Sequence, residues 1–396
     1  GENLHAAGLE AQHIDLVQYL AHGRREVRAI SPANAQAEGI SDTFPYGEFL
    51  MSDAELGDVS DFAGREVVFF QVAVFPKDLA LLVAGSFAFA AEAKYELVPD
   101  FLKPAEGRKT IGNGHGEIAV DSAGLIYVSV QEKDAGIQVY GKDGKYLKTL
   151  ALPMSLHGFV IRKSAEGEFL YGAVLGEQRL LKAKLDGTIV MEIKADDFPA
   201  AQGKTKDGKN TLKLTSCDVA ANGDIYIVDG YGKSWIFQFD KAGKFKQVFG
   251  GPTQKVAEKG FANTHKVFVD NRFAPARLLC LDRGNNRMFH LNLDGTNPQM
   301  IADKGLRNPS SASFHGELMC VAEIAGRVSV WNKEGKMVAE LGANDTKGQT
   351  NTPGVKPDAW RTGIVTSPHG ITFDGKGNIL ETEWNQFGRV LRWDAK

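Results

Sequence analysis

The chain has little cysteine, no basic excess and no long apolar run, and each lack removes a class of answer. Three cysteines among 396 residues, Cys217, Cys280 and Cys320, cannot build a disulfide framework. Cys280 and Cys320 fall at one register of neighbouring repeat units, so they point the same way and read as buried free thiols. Lysine and arginine number 46 against 49 aspartate and glutamate, a formal net charge of -3, so the basic footprint of a nucleic-acid binder is missing. No apolar stretch is long enough to span a membrane as a helix. What is abundant is glycine, 44 residues, which suits a chain of many tight turns.

Those turns recur with a period. The clearest unit is Cys217 to Gly250, in which short runs of alternating β-branched and aromatic residues are separated by Asn222-Gly223, Gly230-Tyr231-Gly232 and Lys241-Ala242-Gly243. That pattern predicts an antiparallel four-stranded meander, a sheet that cannot bury both faces alone and must stack on copies of itself. Related units begin at Gly116, Leu156, Thr264, Pro309 and Pro368. The expected fold is therefore all-β, a six-bladed β-propeller over 94–396. The last unit stops after three strands, so Lys94 to Leu102 is expected to pair beside Val390 to Trp393 and close the ring.

Residues 1–78 match no blade and form an extension of unknown role, with one amphipathic helix expected between His5 and His22. The apolar segment 79–93 ends in Ala88-Phe89-Ala90 and resembles the core and cleavage site of a secretory signal. One reading places the natural start near Val74 and the protein in a secreted or periplasmic location; the other is a buried helix or strand packed on the propeller.

Aligned on their turns, the blades place His157, Cys217, His265, Ser310 and His369 at the start of the innermost strand. Equal register on inner strands means equal depth around one axis, so three imidazoles converge there. Three protein ligands with an open fourth position suit a catalytic zinc ion. Cys217 is a fourth ligand or a wall residue. His290 and His315 lie off this register, and His115, one residue out of it, is expected to be peripheral. At the ends of second strands, Asp229-Gly230-Tyr231 and Asp282-Arg283 leave at the same rim. A tyrosine beside a dication can serve as a base, and an arginine offers a fork for a carboxylate; as ordinary turn chemistry, the same residues cap and cover the rim. The long links 194–211, 251–263 and 342–366 are expected to rise around the mouth.

On Asp229-Gly230-Tyr231, Thr264-His265, Asp282-Arg283 and Pro368-His369-Gly370, the chain resembles NHL-repeat propellers and, among them, the peptidyl-α-hydroxyglycine α-amidating lyases. The resemblance covers about 114–396. It implies zinc on His157, His265 and His369, Tyr231 as base, Arg283 on the substrate carboxylate, and cleavage of a carbon–nitrogen bond with release of glyoxylate. A calcium ion is a second cofactor it admits. Three positions depart from that family: Gln131 replaces a further arginine, Ser367 a methionine, and Gly370 an aspartate associated with calcium. A monomer acting on a peptide or small molecule in the central cleft is expected. A non-catalytic NHL module binding a partner on its rim and a calcium-dependent sugar lactonase stay open as alternatives.

Overall fold

The computed structural model describes residues 67–74, 80–87, 93–133 and 136–396, so the helix expected over 5–22 lies outside the described residues. The chain divides into two compact units, Gly1–Ala91 and Glu92–Lys396. In the first, Ala80–Phe87 within the apolar segment is a strand paired antiparallel with Val67–Val74, a partner that the sequence reading did not anticipate. No helix among the described residues is long and apolar enough to cross a membrane.

The second unit is a six-bladed β-propeller of four-stranded antiparallel sheets. Its inner strands are Ile118–Val120, Leu156–Ser164, Ser216–Val219, Thr264–Asp270, Pro309–His315 and Pro368–Phe373. Burial grades outward along each blade, as stacking requires. In blade three Ile225–Val228 is buried throughout, while Phe245–Gly250 is largely half-buried or exposed. The apolar side chains fill the spaces between neighbouring sheets, for example Cys217, Ile227 and Phe237 at no exposure. All three cysteines are free and buried.

Closure follows the expected route. Tyr95–Val98 is the outer strand of the sixth blade, with Tyr95 opposite Ala395 and Val98 opposite Arg392. Tyr95 and Leu97 pack on the apolar layer holding Trp393 and Val365, so the first strand of this unit completes the core of its last blade.

One irregularity recurs. In blades two, four, five and six the inner strand slips register by one residue at its start, between Leu156 and Gly158, Thr264 and Lys266, Pro309 and Ser311, and Pro368 and Gly370. The extra residues are His157, His265, Ser310 and His369. A bulge leaves a residue unpaired and re-aims its side chain, and here it turns three imidazoles off the sheet plane.

Candidate metal centre

Each imidazole is locked by the next blade. His157 Nδ1 lies 2.8 Å from the Thr215 carbonyl, His265 Nδ1 2.7 Å from that of Ser310, and His369 Nδ1 2.7 Å from that of Gly116. A carbonyl only accepts, so each Nδ1 carries the proton and each Nε2 presents a lone pair. The acceptors occupy the histidine register in blades three, five and one. Thr215, not Cys217, therefore holds that register. Ser216 opposes Val228 without a bulge, and Cys217 faces the core between blades two and three, too deep in its strand to join the histidines.

The three rings meet edge to face, with centroids 5.1 Å apart for His157 and His265, 4.9 Å for His157 and His369, and 4.8 Å for His265 and His369. All three are fully buried, which holds them well below the ordinary imidazole range and leaves them neutral. Nearby positive groups, among them Lys266 and Arg283, push in the same direction.

Tyr231 and Arg283 stand where the sequence placed them. The Tyr231 hydroxyl is 3.2 Å from His157 Nε2 and 3.1 Å from His265 Nε2. Arg283 lies over the tyrosine ring at 5.5 Å, with Nη1 3.5 Å from Ser310 Oγ. The tyrosine is delivered by a tight clasp. Asp229 accepts the Lys213 and Lys233 amides at 2.6 and 2.8 Å. Gly230 has no room for a Cβ, which would fall 2.5 Å from the Thr264 carbonyl.

His115 is the residue the sequence reading misplaced. It belongs to the cluster rather than the periphery: its ring is 4.9 Å from His157 and 4.8 Å from His369, and its Nε2 is 3.4 Å from the Tyr231 hydroxyl. Donor atoms of His115, His157 and His369 all lie within 4.8 Å of one another. It differs from the other three in its support, since its Nδ1 leans at 3.3 Å on the Gln131 side chain rather than on a backbone carbonyl. It is half-buried on the mouth side, near Trp384, and burial brings its pKa down to about 4. The Gly114-His115-Gly116 run was the available signal, because Gly114 and Gly116 leave no room for a Cβ and so draw that loop against the axis. His290 and His315 stay away, the first bonded to Asp270 at 3.0 Å and the second exposed at the far end of its strand.

Whether a cation fits can be judged by counting protons. His157 and His265 turn their Nε2 lone pairs to the Tyr231 hydroxyl, which has a single proton to give and is also reached by His115 Nε2 at 3.4 Å. The three imidazoles whose donor atoms lie within 4.8 Å of one another are His115, His157 and His369, without His265. His369 Nε2 is buried without any hydrogen-bond partner. A surplus of neutral nitrogen lone pairs is the donor set of a zinc-type ion. Calcium is served less well. The aspartate expected for it is Gly370, where a Cβ would lie 2.6 Å from Glu117 Oε1. The axial oxygens just below, Glu117 Oε2 and the His369 carbonyl, already hold the buried Lys266 ammonium.

No protein family profile matches the chain, and no curated protein matches it. Among solved structures, a protein of unknown function from Bacteroides thetaiotaomicron shares 11% identity over 84% of this chain and 83% of its own, with a TM-score of 0.53. Virginiamycin B lyase from Staphylococcus aureus shares 14% over 76% of this chain and 99% of its own, with a TM-score of 0.49. A gluconolactonase from Xanthomonas campestris shares 12% over 72% and 88%, with a TM-score of 0.48. The first of these likenesses speaks for the propeller fold alone.

Proposed function

We propose that the protein is a zinc-dependent lyase of the peptidyl-α-hydroxyglycine amidating type. The observation that carries this reading is the lone-pair surplus: three imidazoles are tautomer-locked by backbone carbonyls, two of them, His157 and His265, share the one Tyr231 hydroxyl, and His369 Nε2 has no partner at all. His157, His265 and His369 would hold the ion, which when bound supplies positive charge that acidifies the substrate hydroxyl. The chain's own groups do the rest. Arg283, beside Tyr231 on the mouth side, receives the substrate carboxylate in a forked hydrogen bond. The Tyr231 oxygen, once it has given up its own proton, takes that of the α-hydroxyl. As the carbon–oxygen double bond forms, the carbon–nitrogen bond breaks, its electron pair stays on the amide nitrogen, and that nitrogen receives the proton Tyr231 has taken. The products are glyoxylate and the amidated peptide. Gln131 stands where the resembling family has a further arginine, and its side chain contacts His115.

A sugar lactonase is the weaker reading, because the inward donors here are imidazoles and not carboxylates or amides. The test is a glyoxylate assay with a peptidyl-α-hydroxyglycine on zinc-loaded protein. Tyr231→Phe is expected to keep the metal and lower turnover by about two to four orders of magnitude. Stoichiometric zinc without glyoxylate would discard the lyase chemistry and keep the metal site.

A further inference from the structure

One imidazole of the cluster has no part in the chemistry above. His157 and His369 each stand against the other three rings at centroid separations between 4.8 and 5.1 Å, so His115 packs on the cluster as closely as His265 does. His115 and His265 face each other across the Tyr231 hydroxyl, which lies 3.4 and 3.1 Å from their Nε2 atoms.

The tautomer of His115 is set by a side chain. Gln131 Nε2 donates to the Leu156 carbonyl at 3.4 Å, which leaves Gln131 Oε1 as the atom turned to His115 Nδ1 at 3.3 Å. An amide oxygen only accepts, so Nδ1 carries the proton and Nε2 keeps its lone pair, as in the other three rings. Four Nε2 lone pairs are thus set against one tyrosine proton, and the donor atoms of His115, His157 and His369 lie within 4.8 Å of one another.

The backbone that carries His115 is held firmly. The Gly114 amide donates to the Asn385 carbonyl at 3.0 Å, the Gly116 carbonyl is the lock on His369 Nδ1 at 2.7 Å, and the Gln131 amide donates to the Asn113 carbonyl at 2.9 Å. The ring is held less firmly. It is half-buried where His157, His265 and His369 are wholly buried, and its contacts of 3.3 and 3.4 Å replace the carbonyl locks of 2.7 and 2.8 Å. Trp384, 5.6 Å away on the mouth side, offers an aromatic face to a ring that turns outward.

Taking the cluster to hold a divalent metal, as proposed above, we infer that His115 is a fourth, exchangeable ligand. It closes the coordination position that His157, His265 and His369 leave open, and it yields that position to a ligand entering from the mouth. The site is thereby shut to small anions until something that binds better displaces the ring.

The test uses the full chain loaded with cobalt(II), whose visible absorption reports its ligands, and azide as the entering anion. An anion binds the parent only in the fraction of molecules whose His115 is turned out, which divides its apparent affinity by that fraction. His115→Ala is expected to melt like the parent, keep cobalt, change the visible spectrum and bind azide at least about tenfold more tightly, the gain when the ring is out less than about a tenth of the time. Added imidazole is expected to return the spectrum of His115→Ala to that of the parent and to leave the parent unchanged. Gln131→Leu removes the outer support, a class of change that weakens metal sites about 10–100-fold, and is expected to bind azide with an affinity between the two. A parental spectrum and azide affinity in His115→Ala, or in Gln131→Leu where His115→Ala does not fold, would overturn the exchangeable ligand and leave the metal site standing. Loss of cobalt from a folded His115→Ala would do the same, by making His115 a permanent ligand, whereas a parent that takes up no cobalt would overturn both.

Discussion

At the residue scale, the three metal-ligand candidates were legible because Leu156-His157-Gly158, Thr264-His265 and Pro368-His369-Gly370 open equivalent strands. The error over Cys217 has a simple origin. Counting eight residues back from the turn glycines Gly124, Gly223 and Gly377 gives Gly116, Thr215 and His369. Cys217 is two residues too close to its turn, and a bulge cannot be seen from composition. A second residue stands out only in three dimensions. Two positions before the rim carboxylates Asp229, Asp282 and Glu323 stand Ile227, Cys280 and Val321, whereas before Glu383 stands Glu381. Glu381 is fully buried, both of its oxygens lack partners, and burial followed by the neighbouring Glu383 raises it well above the usual carboxylate range. A carboxyl raised on folding contributes fully below the unfolded value. Its contribution is lost as pH rises toward the folded one, by about 1.4 kcal/mol per unit. Glu381→Leu is therefore expected to raise the melting temperature at pH 8 and to lose most of that advantage near pH 4. An equal gain at both pH values would contradict the burial account.

At the scale of elements, the site depends on a clasp repeated at the end of second strands. Asp229, Asp282, Glu323 and Glu383 accept the backbone amides of Lys213, Ala262, Arg307 and Thr366, each in the segment that enters its own blade's inner strand. The sequence offered Asp229 and Asp282 as turn caps, and Asp282, Glu323 and Glu383 are also bonded by Arg287, Arg327 and Arg389. The closing strand was legible from the missing fourth strand of the last blade, although the observed pairing is shorter than the expected run, Tyr95–Val98 against Arg392–Ala395. Removing residues 1–104 is expected to cost more than about 2 kcal/mol, the scale of one large buried side chain, while removal of 1–90 leaves a cooperative transition. Coincident denaturation curves for the two truncations would show that the strand does not hold the ring shut.

For the molecule as a whole, the ring is tied at its axis by residues that no local pattern could have joined. Lys266 meets Glu117, and Glu117 also accepts Ser311 Oγ at 2.9 Å and the Ile371 amide at 3.0 Å, so blades one, four, five and six share one carboxylate. Burial raises Glu117 and lowers Lys266, against their mutual attraction. Glu117→Gln alone leaves an unpaired buried ammonium and is expected to cost about 3–5 kcal/mol. Glu117→Leu with Lys266→Met is expected to recover most of it. Additive losses in chemical denaturation would contradict the pairing. The six-fold repeat and the closure were readable from turn glycines and strand count, whereas this axial pair and the Val67–Val74 strand were not. The bulges, the carbonyl locks and the axial pair all serve to hold three neutral imidazoles at one depth. The most direct test of that account is the metal content of the zinc-replete, dialysed chain beside its single His→Ala variants, with folding checked by melting. One zinc per chain is expected, lost in His157→Ala, His265→Ala and His369→Ala and kept in His290→Ala and His315→Ala; a folded, replete protein that retains no metal would contradict it.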